Sequence, residues 1–163
     1  MYQPFPTGGA EPAPQTLGRP PSVQNAVRLM YAGAAVSAFV IIVALVTIGS
    51  TRSAIHADFP GYSASKVHKA ATALVIYEVV IQVITIGLWL WMASANKAGK
   101  SWARIVSSVL FGLNTLILVS SLARPHAALG IVLLALVWLV GLGAIILLWR
   151  RDSSAYFAAS KSR

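Results

Sequence analysis

The stretch AALGIVLLALVWLVGLGAIILLW, Ala127 to Trp149, runs for 23 residues without a charged side chain. A helix rises about 1.5 Å per residue and a bilayer's hydrocarbon core is about 30 Å thick, so about 20 apolar residues cross it. A helix of this length in water needs a polar face, and this one has none. Hydrocarbon offers the backbone no hydrogen-bond partner, so a spanning segment must satisfy itself as a helix.

Three earlier blocks read the same way. Leu29–Gly49 and Ile105–Ala123 carry no charge, and Ala70–Ala93 carries one, Glu78. The predicted fold class is therefore all-α, a polytopic bundle of four transmembrane helices. Its spans lie at about 28–49, 70–93, 104–123 and 127–149, within a membrane domain over 26–149. Composition agrees. The 163 residues are 57% hydrophobic and 10% charged, with a mean hydropathy of +0.73. A soluble domain carries about 25% charged residues, so this chain lacks the polar groups to cover a water-facing surface. The absence of cysteine excludes disulfides, thiolate metal sites and a cysteine nucleophile.

The formal charge is +9. No basic stretch is interleaved with aromatic residues, which argues against nucleic acid as a partner. The basic residues instead flank the apolar blocks, where they set topology and meet anionic lipid. Nine of them (Arg19, Arg28, Lys97, Lys100, Arg104, Arg150, Arg151, Lys161 and Arg163) share one side, against Arg52, Lys66, Lys69 and Arg124 on the other. The positive-inside rule then places both termini in the cytoplasm. Trp89, Trp91, Trp102 and Trp149 fall at the same membrane boundary.

Between the blocks the sequence predicts connections. Residues 1–25 form a Pro/Gly-rich tail with too little apolar surface to order, solvated or docked on a partner as a polyproline II strand. Ser50–Lys69 is a loop holding the turn signal Asp58-Phe59-Pro60-Gly61, with Ser63 or Ser65 capping the following helix. Gly99 stops the second span, Arg124-Pro125-His126 is a tight hairpin, and 150–163 is a short basic tail.

Glu78 is the residue that chemistry singles out. An ionised carboxylate exposed to lipid costs at least about 2.5–3.5 kcal/mol, and no Lys or Arg stands at matching depth. A neutral Glu78 facing the bundle interior is expected. Glu78, Gln82 and Thr85 form one polar stripe, and Ser107, Asn114 and Ser121 form another on the next span. Measured from opposite membrane edges, Glu78 and Asn114 fall within about 5 Å of one depth, which predicts a hydrogen bond between them. The candidate intramembrane polar site is thus Glu78, Gln82 and Asn114. It reads either as glue between helices, worth about 0.6–2 kcal/mol per bond, or as a proton or solute site.

Other constellations are weaker. His56, Asp58 and His68 share one loop but lack a metal-ligand spacing, and no metal or cofactor is expected. Gly99-Lys100-Ser101 follows a membrane helix, not a strand, and Ser94 stands where a phosphate-binding loop needs glycine. No Ser, His and Asp share a depth, so no enzyme is expected. Small residues four apart, Gly33/Ser37 and Ala34/Ala38, together with Gly141 and Gly143, allow close helix approach within the bundle or against a second chain.

Several of these segments carry a resemblance. Ala26-Val27-Arg28-Leu29-Met30-Tyr31, Trp89-Leu90-Trp91-Met92-Ala93, Lys100-Ser101-Trp102-Ala103-Arg104 and Leu148-Trp149-Arg150-Arg151 resemble small four-helix integral membrane proteins of actinobacteria. The resemblance covers roughly Ser22 to Phe157. It implies a bacterial inner membrane and brings no activity and no functional residues. The expected function is a non-enzymatic accessory or assembly subunit, in contact with anionic lipid and with a second copy or another membrane protein. The alternative is a small homo-oligomeric transporter or channel that uses Glu78 as a protonatable site.

Overall fold

The structure is a computed structural model and describes residues 18–122 and 128–161. Among these residues the chain forms helices and no strand. They are α1 (Pro21–Val46), α2 (Ile48–Asp58), α3 (Ala64–Lys97), α4 (Ser101–Leu122), α5 (Ala128–Leu148) and α6 (Arg151–Lys161). Four of them, α1, α3, α4 and α5, are long and apolar enough to cross a membrane. Their outward faces carry large apolar side chains, such as Leu74, Val80 and Ile84 on α3 and Ile105, Val109 and Leu116 on α4, all exposed. Such surface suits lipid and not water.

Three expected connections are helical. The predicted loop Ser50–Lys69 shrinks to a turn at residues 59–63, where the Asp58-Phe59-Pro60-Gly61 signal stood. The reason lies at Thr47. Its hydroxyl donates to the Val43 carbonyl at 2.7 Å, while Ser50 and Thr51 hydroxyls donate back to the Thr47 carbonyl. The backbone bonds also run on through Thr47, whose N–H donates to the Val43 carbonyl and whose carbonyl accepts the Thr51 N–H, so α2 continues α1 past the apolar span. The expected tail 1–25 ends earlier, because Pro21 opens α1 at a position that needs no N–H. The expected basic tail 150–163 contains α6. Residues 1–17 and the Arg124-Pro125-His126 hairpin lie outside the described residues.

The ends of α3 have clear local causes. Ser63, one of two expected caps, accepts the Lys66 N–H at 3.3 Å. At the other end Gly99 takes φ +72°, Gly99 N–H donates to the Asn96 carbonyl and Lys100 N–H to the Ala95 carbonyl. This is the glycine-terminated stop that residue 99 predicted.

α1 is the centre of the bundle and packs on α3 and α5; α4 leans on α5 and meets α3 sparingly. The α1–α3 contact is close because Gly33 has no side chain. A methyl there would lie 2.6 Å from the Trp89 indole. The small-residue pattern of α1 thus serves packing inside the bundle: Gly33, Ala34 and Ser37 are buried, while Ala38 is exposed.

The core gathers at one end. Val23, Ala26, Met30, Ala93, Ala103, Ala144, Leu148 and Phe157 are at most 3% exposed. All belong to the end that carries α6. There α6 folds across the helix ends: Ser101 Oγ donates to the Phe157 carbonyl at 3.1 Å, Arg104 to Ser154 Oγ at 3.0 Å and the Tyr156 hydroxyl to the Lys97 carbonyl at 3.2 Å. Ser22 and Ser153 hydroxyls meet at 2.7 Å. The Arg104 guanidinium lies 4.2 Å from the Trp149 ring, an attraction of about 0.5–2 kcal/mol.

Candidate functional site

The core-facing stripe of α3 runs through Val67, Ala71, Val75, Glu78, Gln82, Thr85, Trp89, Met92 and Asn96, at steps of three and four. Glu78 therefore lies on the bundle side of its helix, as expected, and is half-buried. Its partner is Gln82, whose amide donates to Glu78 Oε1 at 2.7 Å.

The expected Glu78–Asn114 bond is not formed. Both depths must be measured from the same landmark, the Gly99 turn that joins α3 to α4. Asn114 lies 13 residues beyond Ser101 and Glu78 lies 19 residues before Lys97. At 1.5 Å per residue these are about 19.5 and 28.5 Å, so the two side chains sit about 9 Å apart in depth. The sequence-based expectation failed because it measured from opposite edges of a core of about 30 Å, while the apolar part of α3 alone, residues 70–93, is about 36 Å long.

Asn114 instead faces a cavity of about 280 Å³ between the four spans. Thr85, Leu88, Trp89 and Met92 come from α3, Ser107, Leu110 and Phe111 from α4, and Val137, Gly141 and Ala144 from α5, with Met30 from α1. Leu113 and Ile117 also line it and are more than half exposed, which puts its mouth at the α3–α4 seam. No Asp, Glu, Lys, Arg or His lines it. At the α6 end it stops against the buried core.

The key polar residue at that end was not among the expected ones. Asn96 is fully buried. Its amide donates to the Met92 carbonyl at 2.9 Å and to Ser107 Oγ at 3.1 Å, and its Oδ1 has no partner. A buried polar side chain of this kind orders the helices that supply its partners, here α3 and α4. The seven-residue spacing Ser107–Asn114 was legible, and both residues do face the interior. Ser121, third in that stripe, lies outside the cavity. Higher up, Trp138 donates to Thr115 Oγ1 at 3.0 Å and pins α5 to α4.

On the opposite side, His56 and His68 meet in a shallow cleft with Arg52. Asp58 lies outside it, and a guanidinium beside two imidazoles opposes a cation. Among the described residues no group of three His, Asp or Glu side chains is placed to hold a metal.

Asp152 opens α6. The Ser22 hydroxyl, its own and the Ser153 backbone N–H, and the Arg150 guanidinium together hold its carboxyl below the ordinary 3.8. Arg150 Nε stands 3.6 Å from Asp152 Oδ1.

Comparison with known proteins brings no match, whether to a family model, a curated protein or a solved structure.

Proposed function

We propose that this protein is a non-enzymatic integral membrane protein that serves as an accessory or assembly subunit, in a bacterial inner membrane with both termini in the cytoplasm. The closed α6 end of the bundle carries this reading. A channel or carrier needs a polar path that reaches both faces of the membrane. The interior cavity is apolar, and between it and the α6 end stand fully buried Val23, Ala26, Ala103 and Leu148. Glu78 and Gln82 satisfy each other on one helix, about a turn or more from Asn114 in depth. They contribute packing and polarity; Thr85, next on the stripe and lining the cavity, gives its hydroxyl proton to the Ile81 carbonyl at 2.8 Å and not to a relay.

The surfaces left for recognition are the polar ends. Arg150, Arg151, Lys97 and Lys100 surround the α6 cap and suit anionic lipid headgroups. The nine-to-four division of basic residues supports a cytoplasmic position for that end.

The test is gentle extraction of the tagged full-length protein from native membranes, with identification of what accompanies it. A different polypeptide in fixed stoichiometry is expected. A lone homo-oligomer would overturn the accessory reading and put the Glu78 transporter in its place.

A further inference from the structure

We propose that the cavity at the α3–α4 seam binds a neutral, lipid-soluble ring compound with two acceptor oxygens, a quinone-type molecule. Two polar groups that the fold leaves unpaired inside an apolar cavity point to it. Ser107 is 7% exposed and lines the cavity. Its oxygen accepts from Asn96, so its hydroxyl proton remains, with no acceptor among the described residues. Asn96 is itself held by the Met92 carbonyl, which fixes the direction from which Ser107 is approached. Two turns on, the Asn114 amide faces the same cavity and has no hydrogen-bond partner among the described residues.

Unpaired polar groups at membrane depth are costly, so the cavity is incomplete without a partner for them. Both offer donors, about 10 Å apart along the helix; with about 2.9 Å for each hydrogen bond, their complement is a pair of acceptor oxygens about 5 Å apart, the spacing across one six-membered ring. A plain acyl chain has no such oxygen, and a phospholipid's ester groups stay near the headgroups, far from Asn114. A charged ligand is disfavoured because no ionisable side chain lines the walls. Trp89 and Phe111 rings with the Met30 and Met92 thioethers give flat, polarisable walls that suit a ring.

Size narrows the class further. An apolar cavity of about 150 Å³ accepts benzene. The 280 Å³ here holds one or two fused rings and not a partner's transmembrane helix. An apolar tail would leave through the mouth beside Leu113 and Ile117 into lipid. The inference concerns binding alone, and it stands apart from the accessory reading.

The test uses the full chain in nanodiscs and two probes of the same shape, 2-methyl-1,4-naphthoquinone and 2-methylnaphthalene, by equilibrium dialysis. The quinone is expected to bind saturably and at least about tenfold more tightly than the hydrocarbon. Asn114→Leu and Ser107→Ala are each expected to weaken quinone binding about tenfold and to leave the hydrocarbon unchanged. Ser107→Ala keeps the test alive should Asn114→Leu disturb folding. Equal binding of the two probes, no saturable binding, or variants that bind the quinone as the parent does would each overturn the proposal. So would a dimer that Asn114→Leu dissociates in a chain that does not bind the quinone.

Discussion

The Asn96 amide donates to Ser107 Oγ at 3.1 Å and so ties the last turn of α3 to the second turn of α4 across the Gly99 reversal. The buried core lies on the α6 side of this bond, and the cavity lies on the other side. The bond therefore marks where the bundle changes from closed to open.

Gly33 and Trp89 set the α1–α3 distance. A methyl at Gly33 would lie 2.6 Å from the indole. Gly33→Leu is expected to destabilise the bundle by about 1–3 kcal/mol, as overpacking does. Thermal unfolding in detergent measures it. Gly33→Leu combined with Trp89→Ala should cost less than the two changes summed, because they share one contact.

Gly99 joins two constraints. Its φ of +72° favours glycine, and a methyl there would lie 2.6 Å from Ser160 Oγ. Gly99→Ala is expected to cost about 1–2 kcal/mol from the backbone alone. It should also loosen α6, read as faster proteolysis between Trp149 and Tyr156. Adding Ser160→Gly should restore part of the protection and none of the backbone cost.

Asp152 makes the α6 dock sensitive to acid. Its carboxyl is held below the ordinary 3.8 in the folded protein, first by the Ser22 hydroxyl. A depressed carboxyl stabilises the folded state above the unfolded value and loses that contribution as pH falls through the folded one. The protection factors of the α6 amides, which take out the intrinsic pH dependence of exchange, should thus be constant from neutral pH down to about 4 and fall below it. Asp152→Asn should remove the step while leaving exchange in α5 as it was.

Glu78 and Gln82 pair within one helix, so Glu78→Gln should leave an amide-to-amide bond in the same place. Unfolding is expected to shift by no more than about 0.5 kcal/mol. Gln82→Leu, which strips the carboxyl of its donor, should cost about 1–3 kcal/mol. Proton flux into proteoliposomes should match empty vesicles for both the parent and Glu78→Gln. A flux present in the parent and lost in Glu78→Gln would assign Glu78 to transport.

The four spans were legible because a charge-free run of about 20 residues has one stable solution in hydrocarbon. The stop at Gly99 and the cap at Ser63 were legible for equally local reasons. Asn96 was hidden because it lies beyond the apolar block Ala70–Ala93, although the α3 stripe continues to it from Trp89 and Met92 at steps of three and four. α6 was hidden because its sequence is polar. Its signal is the pair Ser153 and Phe157, four apart, both buried against the ends of other helices. The depth of Glu78 against Asn114 was legible only by counting both from Gly99; measured from opposite membrane edges it was lost, because α3 is longer than the hydrocarbon core is thick.

The most direct test of the closed end is the accessibility of residue 107. The chain has no cysteine, so Ser107→Cys gives a single thiol. A charged methanethiosulfonate reagent is applied from the side that bears the termini, with Ala155→Cys, exposed on α6, as the control. The control should react at once and the thiol at 107 should not react. Comparable rates at the two positions would mean that water reaches the cavity through the α6 end, and the bundle described here would be an open path.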